Sequence, residues 1–244
     1  MSKIRNIVVS FFLLLLPRFL GKILSKIVFN GCELSVGFSW VYCDWTNTNG
    51  SITVGHLNYI TVSNIQLVGK SRIGNMNFIV GNFTIKLNEK SSIGNRNVIT
   101  RAKPGVSYGY SELSLGKNTK LTAGHKLDMM RTIKFSSNSI LAGLGSQLWT
   151  HGYFHLKSGE RCRIDGEIEI GSNVYIGSMC IINAGITVKD NISIGSGGVI
   201  SKSIENEGLY VSQPLRFVEK EMNTMPNLEE ILDKELCERV FRKN

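Results

Sequence analysis

From residue 164 to residue 200 the chain reads IDGEIEI GSNVYI GSMCII NAGITV KDNISI GSGGVI. An aliphatic residue returns at every sixth position, as Ile164, Ile170, Ile176, Ile182, Val188, Ile194 and Ile200, and Gly171, Gly177 and Gly195 directly follow three of them. A period of six belongs neither to an α-helix, which repeats at about 3.6 residues, nor to a flat strand, which alternates. It is the mark of a β-solenoid, in which each hexad lays down one short strand and one corner and three hexads close a triangular coil of about 18 residues. The recurring aliphatic side chain points into the coil, and the small residue after it fits the corner, where glycine is least hindered. Shorter runs with the same spacing stand upstream: Val54 and Ile60; Leu67, Ile73, Ile79 and Ile85; Ile93 and Ile99; Leu115, Leu121, Leu127 and Ile133. Their phase slips between runs, so loops or irregular corners interrupt the coil there. The expected fold is an all-β solenoid.

The segment IEIGSNVYIGSMCIINAGITVKDNISIGSGGVISKSI, ending at Ile204, resembles the closing coils of the hexapeptide-repeat acyltransferases, within them the galactoside and maltose acetyltransferase group. IGSGGVISKSI followed by Gln213-Pro214-Leu215-Arg216 fits that group's end-of-domain pattern, and GLGSQLWTHGYF, Gly143 to Phe154, is similar to members that acetylate capsule, exopolysaccharide or O-antigen sugars. The resemblance covers residues 140–220 well and the earlier chain loosely. It implies a left-handed parallel β-helix, against the usual right-handed crossover rule, with acetyl-CoA as acyl-donor substrate and no permanently bound cofactor. It also implies a homotrimer with sites between subunits.

Length and composition suit one extended domain with terminal attachments: residues 1–30 as a basic, hydrophobic helical segment, 31–204 as the β-helix, and 205–244 as an extension with a helix. The chain has 244 residues, 42% of them hydrophobic, with 25 Gly and only four Pro, which suits one core with many tight corners. Cys32, Cys43, Cys162, Cys180 and Cys237 are odd in number and form no CxxC pair, so neither a disulfide framework nor a structural zinc site is expected, and a cytoplasmic setting follows. The net charge of +9 is spread along the chain without an aromatic-basic platform. It therefore suits an anionic small molecule or a membrane surface better than a nucleic acid.

Within the first 26 residues Lys3, Arg5, Arg18, Lys22 and Lys26 occur with no acid, around a nearly wholly apolar run from Ile7 to Leu16. That run is too short to span a bilayer. Pro17-Arg18-Phe19-Leu20 stands where a secretory cleavage site would need small residues. Two readings remain: a helix capping the first coil, and an interfacial helix on the inner membrane surface. At the other end, Leu228, Ile231, Leu232, Leu236 and Val240 fall at helical spacing, with Asn227 as N-cap and Glu230 completing a capping box.

Acyl transfer from a thioester to a sugar hydroxyl needs a base, and four histidines are available: His56, His125, His151 and His155. His151, in Trp149-Thr150-His151-Gly152, stands where the resembled family carries its catalytic histidine. Trp149, Thr150, Gln147 and His155 are the associated acceptor contacts, with Gly152 allowing a tight turn. His125 is the second candidate base; His56 is too early in the chain. Glu160, Asp165 and Glu167 compete as the carboxylate that orients the imidazole. The resemblance further implies donor contacts at Tyr175, Gly177, Ser178, Ser196, Gly197, Ser201, Lys202 and Arg216, with Lys220 nearby, and makes the Ser178 N–H an oxyanion donor. Tyr175 stands where many relatives have Trp.

The first reading is therefore an O-acetyltransferase acting on a bacterial surface-polysaccharide sugar or its precursor. Alternatives are N-acetylation of a nucleotide-linked amino sugar, a γ-carbonic-anhydrase type of metal solenoid using His125, His151 and His155, and a non-catalytic scaffold. The histidine spacing does not match the metal type.

Overall fold

In a computed structural model of the chain, residues 2–28, 33–46, 50–212, 228–231 and 240–243 are described. Residues 1–212 form one compact unit and 213–244 a second. The first is a left-handed parallel β-helix of nine coils, preceded by the helices α1 (Ser2–Leu15) and α2 (Arg18–Val28). No helix among the described residues is long and apolar enough to cross a membrane.

The coils stack as three faces. Face one is a sheet of nine strands, from Glu33–Val36 in the first coil to Gly208–Tyr210 in the last. Faces two and three share a second sheet because Trp40–Thr46, Tyr59–Leu67 and Phe78–Leu87 each bend through the corner between them. From the fourth coil on, the two faces have separate strands, such as Val98–Thr100 and Glu112–Leu115. The coil runs to Tyr210, past the boundary expected at Ile204.

Register follows the hexads. Ile99 stacks on Ile79 and Leu127, Leu127 on Leu148, and Ile176 on Leu141 and Ile194. Ile170, Ile176, Ile182, Val188, Ile194 and Ile200 are buried, as are all members of the upstream runs. Each such side chain taken from water contributes roughly 1.5–3 kcal/mol, so repeated files of aliphatic residues hold the coil without a second packed sheet. Several corners use the left-handed backbone region, where Asn is the best-tolerated residue after Gly: Asn118, Asn138, Asn173 and Asn191 have φ of 58° or 59°.

Ile164 departs from the expected series and is 59% exposed. It lies in an antiparallel hairpin, His151–His155 with Arg161–Asp165, that leaves the sixth coil; the coil resumes at Ile168–Ile170. The slip between Ile99 and Leu115 has a similar cause, since residues 101–111 leave the fourth coil between Val98–Thr100 and Glu112–Leu115.

In the second unit Leu228–Ile231 pairs antiparallel with Val240–Lys243, so the helix expected over these residues is corrected to two antiparallel strands. Four-residue apolar-polar patterns fit either period. Here Arg242 Nη2 donates to Glu229 Oε2 at 2.7 Å across the strands, a cross-strand pair that a helix would not form. Asn227, Leu232 and Leu236 lie outside the described residues.

Candidate active site

The sixth coil fails to turn its corner from face two to face three and instead sends out the hairpin, whose first residue is His151. Because Leu148 stacks on Leu127, the residue after Leu127 comes to lie beneath Trp149 and Thr150. That residue is Asp128. Its Oδ2 accepts hydrogen bonds from Thr150 N (3.1 Å) and Thr150 Oγ1 (2.7 Å) and lies 2.8 Å from His151 Nδ1. A carboxylate accepts only, so Nδ1 carries the proton and Nε2 presents its lone pair. The imidazole is 25% exposed and the carboxylate 11%: the base reaches solvent while its partner is sheltered. This is the tautomer and orientation that a general base requires.

The imidazole borders a pocket of about 320 Å³ between Trp149, Phe154, Ile164 and the Asn183–Ala184 corner of the seventh coil. The Tyr153 ring meets the imidazole edge-on, with centroids 5.7 Å apart. Trp149 Nε1 donates to Gln147 Oε1 at 3.1 Å, and Lys126 Nζ lies 4.7 Å from the Trp149 ring centre. Trp149 thus lines the pocket, and Gln147 orients it. Gly152 forms no tight turn; it sits in the strand opposite Ile164, and a Cβ there would meet nothing within 4 Å. Its contribution is room.

Two expected acceptor contacts are corrected. Thr150 is fully buried; its hydroxyl lies between the Asp128 carboxylate and carbonyl and accepts from Arg131 N, so it positions Asp128 and cannot touch an acceptor. His155 is exposed four residues along the hairpin strand, roughly 13 Å from His151 at about 3.4 Å per residue, and is absent from the pocket lining.

None of the three carboxylates considered from sequence meets the imidazole. Asp165 stands opposite His151 in the hairpin but accepts from Arg163 Nη2 at 3.1 Å; Glu167 accepts from Arg131 at 3.3 Å; Glu160 lies exposed near the hairpin's far end. The true partner comes from the preceding coil. Aligning the inward Leu127 with the inward Leu148 would have found it, since the next residue of each must then share a corner.

The excursion of residues 101–111 braces the hairpin. Arg163 Nη1 donates to the Val106 carbonyl at 2.8 Å, and the Arg131 and Arg163 guanidinium groups lie over the Tyr108 ring at 5.2 and 5.8 Å. Arg101 Nη2 donates to the Tyr108 and Gly109 carbonyls, each at 2.8 Å.

His125, the second candidate base, belongs to a different structure. Along the edge between faces one and two, Asn58, Asn77 and Asn97 form a buried ladder: Asn77 N donates to Asn58 Oδ1, Asn97 N to Asn77 Oδ1, and His125 N to Asn97 Oδ1, each at 2.9 Å. His125 continues it, its Nδ1 accepting from Ser146 N at 3.2 Å, and Ser146 Oγ accepts from Cys180 N at 3.1 Å. His125 is 1% exposed, and burial pushes its pKa down to about 4. It is a neutral structural rung, closed to substrate. His56 Nδ1 accepts from Phe38 N on the same edge. The three histidines of the metal alternative are therefore not brought together, and no group of three or more His, Cys, Asp or Glu among the described residues is arranged to hold a metal ion.

The expected donor residues fall on separate parts of the chain. Gly177, Ser178, Ser196 and Gly197 cluster where faces one and two meet: Gly197 N donates to the Ser178 carbonyl at 2.8 Å, and a Cβ on Gly177 would lie 2.7 Å from Ser196 N. Gly143 is required there as well, at φ 65°, since a Cβ would run into Ser178 Oγ. Tyr175 stands exposed on face one. Ser201 and Lys202 are exposed where faces two and three meet, two coils beyond His151. Arg216 and Lys220 lie outside the described residues.

No protein-family model and no curated protein matches the chain. Solved structures similar to it include the polySia-specific acetyltransferase NeuO, 16% identical over 80% of this chain and 91% of that one, with a TM-score of 0.48. A galactoside acetyltransferase in complex with coenzyme A is 16% identical over 90% of this chain and 80% of that one, with a TM-score of 0.37. A variant of the N-acyltransferase AntD from Bacillus cereus, in complex with dTDP and coenzyme A, is 15% identical over 82% and 89%, with a TM-score of 0.28. Likeness at this level concerns the coil and leaves the reaction to the chain's own residues.

Proposed function

We propose that this protein is an O-acetyltransferase that moves an acetyl group from acetyl-CoA to a sugar hydroxyl of a bacterial surface polysaccharide or its precursor. The observation that carries the reading is the Asp128–His151 pair, 2.8 Å apart, opening on a pocket with an aromatic wall. A sugar hydroxyl is too weak an acid to lose its proton unaided at neutral pH. His151 Nε2 takes that proton as the hydroxyl oxygen attacks the thioester carbonyl, and Asp128 stabilises the imidazolium that forms. The Ser178 N–H stabilises the oxyanion. Collapse of the tetrahedral intermediate breaks the C–S bond, and the departing thiolate takes the proton back from His151. Trp149 and Phe154 suit the apolar face of a sugar ring.

The acting species is a homotrimer. Face two carries an outward column in register, Trp40, Tyr59, Phe78 and Val98, with the Tyr59 and Phe78 rings stacked at 5.7 Å. Leu57, Met76 and Met179 are exposed along its border with face one. Such a surface suits a second copy. Face two also separates Gly177, Ser178, Ser196 and Gly197 from His151, so a donor held by that group would meet the base of a neighbouring subunit.

The test is direct. Purified protein given acetyl-CoA and the surface glycan of its source cell should release CoA thiol and add O-acetyl groups visible by NMR, and His151→Ala should do neither. Absence of acetyl-CoA binding, or an unchanged glycan in cells lacking the protein, would overturn the reading.

A further inference from the structure

The two N-terminal helices turn Asn6, Ser10, Gly21 and Ser25 inward beside Val9 and Leu13, and most of their large apolar residues outward. α1 lays Asn6, Val9, Ser10 and Leu13 on the first coil: Asn6 Nδ2 donates to Asp44 Oδ1, Ser10 Oγ donates to the Val41 carbonyl, and Val9 and Leu13 are buried. Its opposite stripe, Ile4, Ile7, Val8, Phe11, Phe12 and Leu15, is between 46% and 72% exposed. α2 follows suit. Gly21 and Ser25 turn inward, Ser25 Oγ accepting from Leu34 N at 3.0 Å, while Phe19, Leu20, Ile23 and Ile27 face out.

A helix packed on a domain in water shows the reverse pattern. The inward hydroxyls and amide satisfy polar groups at the open end of the coil, which explains their position. Nothing in the coil explains ten large apolar side chains on the outside. The first 28 residues also hold Lys3, Arg5, Arg18, Lys22 and Lys26 and no acid; Lys26 pairs with Glu33 at 2.7 Å. At 14 and 11 residues the helices are too short to span a bilayer.

We infer that this two-helix cap docks on an anionic membrane surface, with both helices lying in the interface and the coil standing off it. Apolar side chains enter the headgroup boundary while the cations meet lipid phosphates. End-to-end pairing with a second copy would bury the same apolar stripes but set like charges against each other. A trimer with parallel coils would turn three caps the same way, giving one broader platform. The inference stands on the cap alone and does not depend on the reaction proposed above.

Flotation of the full chain with vesicles tests it. The protein should float with phosphatidylcholine–phosphatidylglycerol vesicles and bind at least tenfold less to pure phosphatidylcholine, with the difference shrinking as salt rises. Phe11→Glu combined with Phe12→Glu should lose at least tenfold in vesicle binding while keeping the native melting temperature and oligomeric state. Failure of the native chain to bind anionic vesicles overturns the inference. So does native-level binding by the double variant, or a double variant that drops to a smaller oligomer when the native chain ignores vesicles, which would identify the face as a contact between copies.

Discussion

The two edges that border face two are built from the same hexads and contain the two histidines that compete for one role. On the edge shared with face one the described coils turn tightly, and the ladder from Asn58 to Cys180 fills the corner; His125 there is a rung. On the edge shared with face three the chain is released twice, at residues 101–111 and at the hairpin from His151 to Asp165. A histidine there stands over a carboxylate from the coil below and faces a pocket. Where the repeat is interrupted, His151 reaches solvent over a carboxylate, whereas His125 in an uninterrupted corner is enclosed by the stacked ladder.

The contrast is broken most severely at His151. His151→Ala should lower kcat by roughly 10²–10⁴-fold, the usual contribution of a positioned base, with donor binding and oligomeric state retained. If His125→Ala abolished turnover instead, with acetyl-CoA binding intact, the two edges would exchange roles. Asp128→Asn should come next, with kcat lower by roughly 10–10²-fold and an unchanged KM for acetyl-CoA, since an amide in place of the carboxylate no longer fixes the proton on Nδ1. Native turnover in that variant would mean that the 2.8 Å contact is incidental.

His125 should matter to stability and not to catalysis. In the unfolded chain its pKa returns to the usual value near 6.5, against about 4 in the fold. The unfolded state therefore binds the extra proton between these values. The stability due to the neutral rung is complete above about pH 6.5 and is lost as pH falls toward 4, by roughly 3 kcal/mol over the whole interval. His125→Asn supplies the ladder's own residue, so it should melt near the native temperature at pH 7.5 and show less loss at pH 5. His125→Ala leaves the buried Ser146 N–H without its acceptor and should cost roughly 2–4 kcal/mol. Equal acid sensitivity in the native and His125→Asn proteins would remove His125 from the account.

The repeat was legible because it is local: an inward aliphatic every sixth residue needs no knowledge of any other coil, and Ile170 to Ile200 are buried as read. His151 was singled out through the resemblance of the phrase around it, and the structure adds its contact with Asp128. Asp128 was not, since it lies 23 positions earlier and meets the imidazole only through the stacking of Leu127 on Leu148. Ile164 kept the phase by coincidence while belonging to the hairpin. His125 looked reactive because sequence does not display burial; Asn58, Asn77 and Asn97 recur at about one coil, and His125 continues them only once the 101–111 excursion is allowed for. Leu228–Ile231 and Val240–Lys243 departed from the helical reading for another reason, since a four-residue segment fits a strand as well as a helix.

The smallest effect should come from Lys202, exposed on the same edge as His151 and two coils away along face two. If the donor spans both edges across a subunit contact, Lys202 meets its anionic end, which is unchanged between bound substrate and transition state. Such contacts give uniform binding, so Lys202→Ala should raise the KM for acetyl-CoA by about three- to tenfold and leave kcat nearly intact. The effect should shrink as salt rises, because an exposed charge is screened within about 10 Å at 0.1 M. Lys202→Arg should recover most of the loss. An unchanged donor KM in Lys202→Ala would confine the donor to the Gly177–Ser178 edge, and the edge bearing His151 would then serve the acceptor alone.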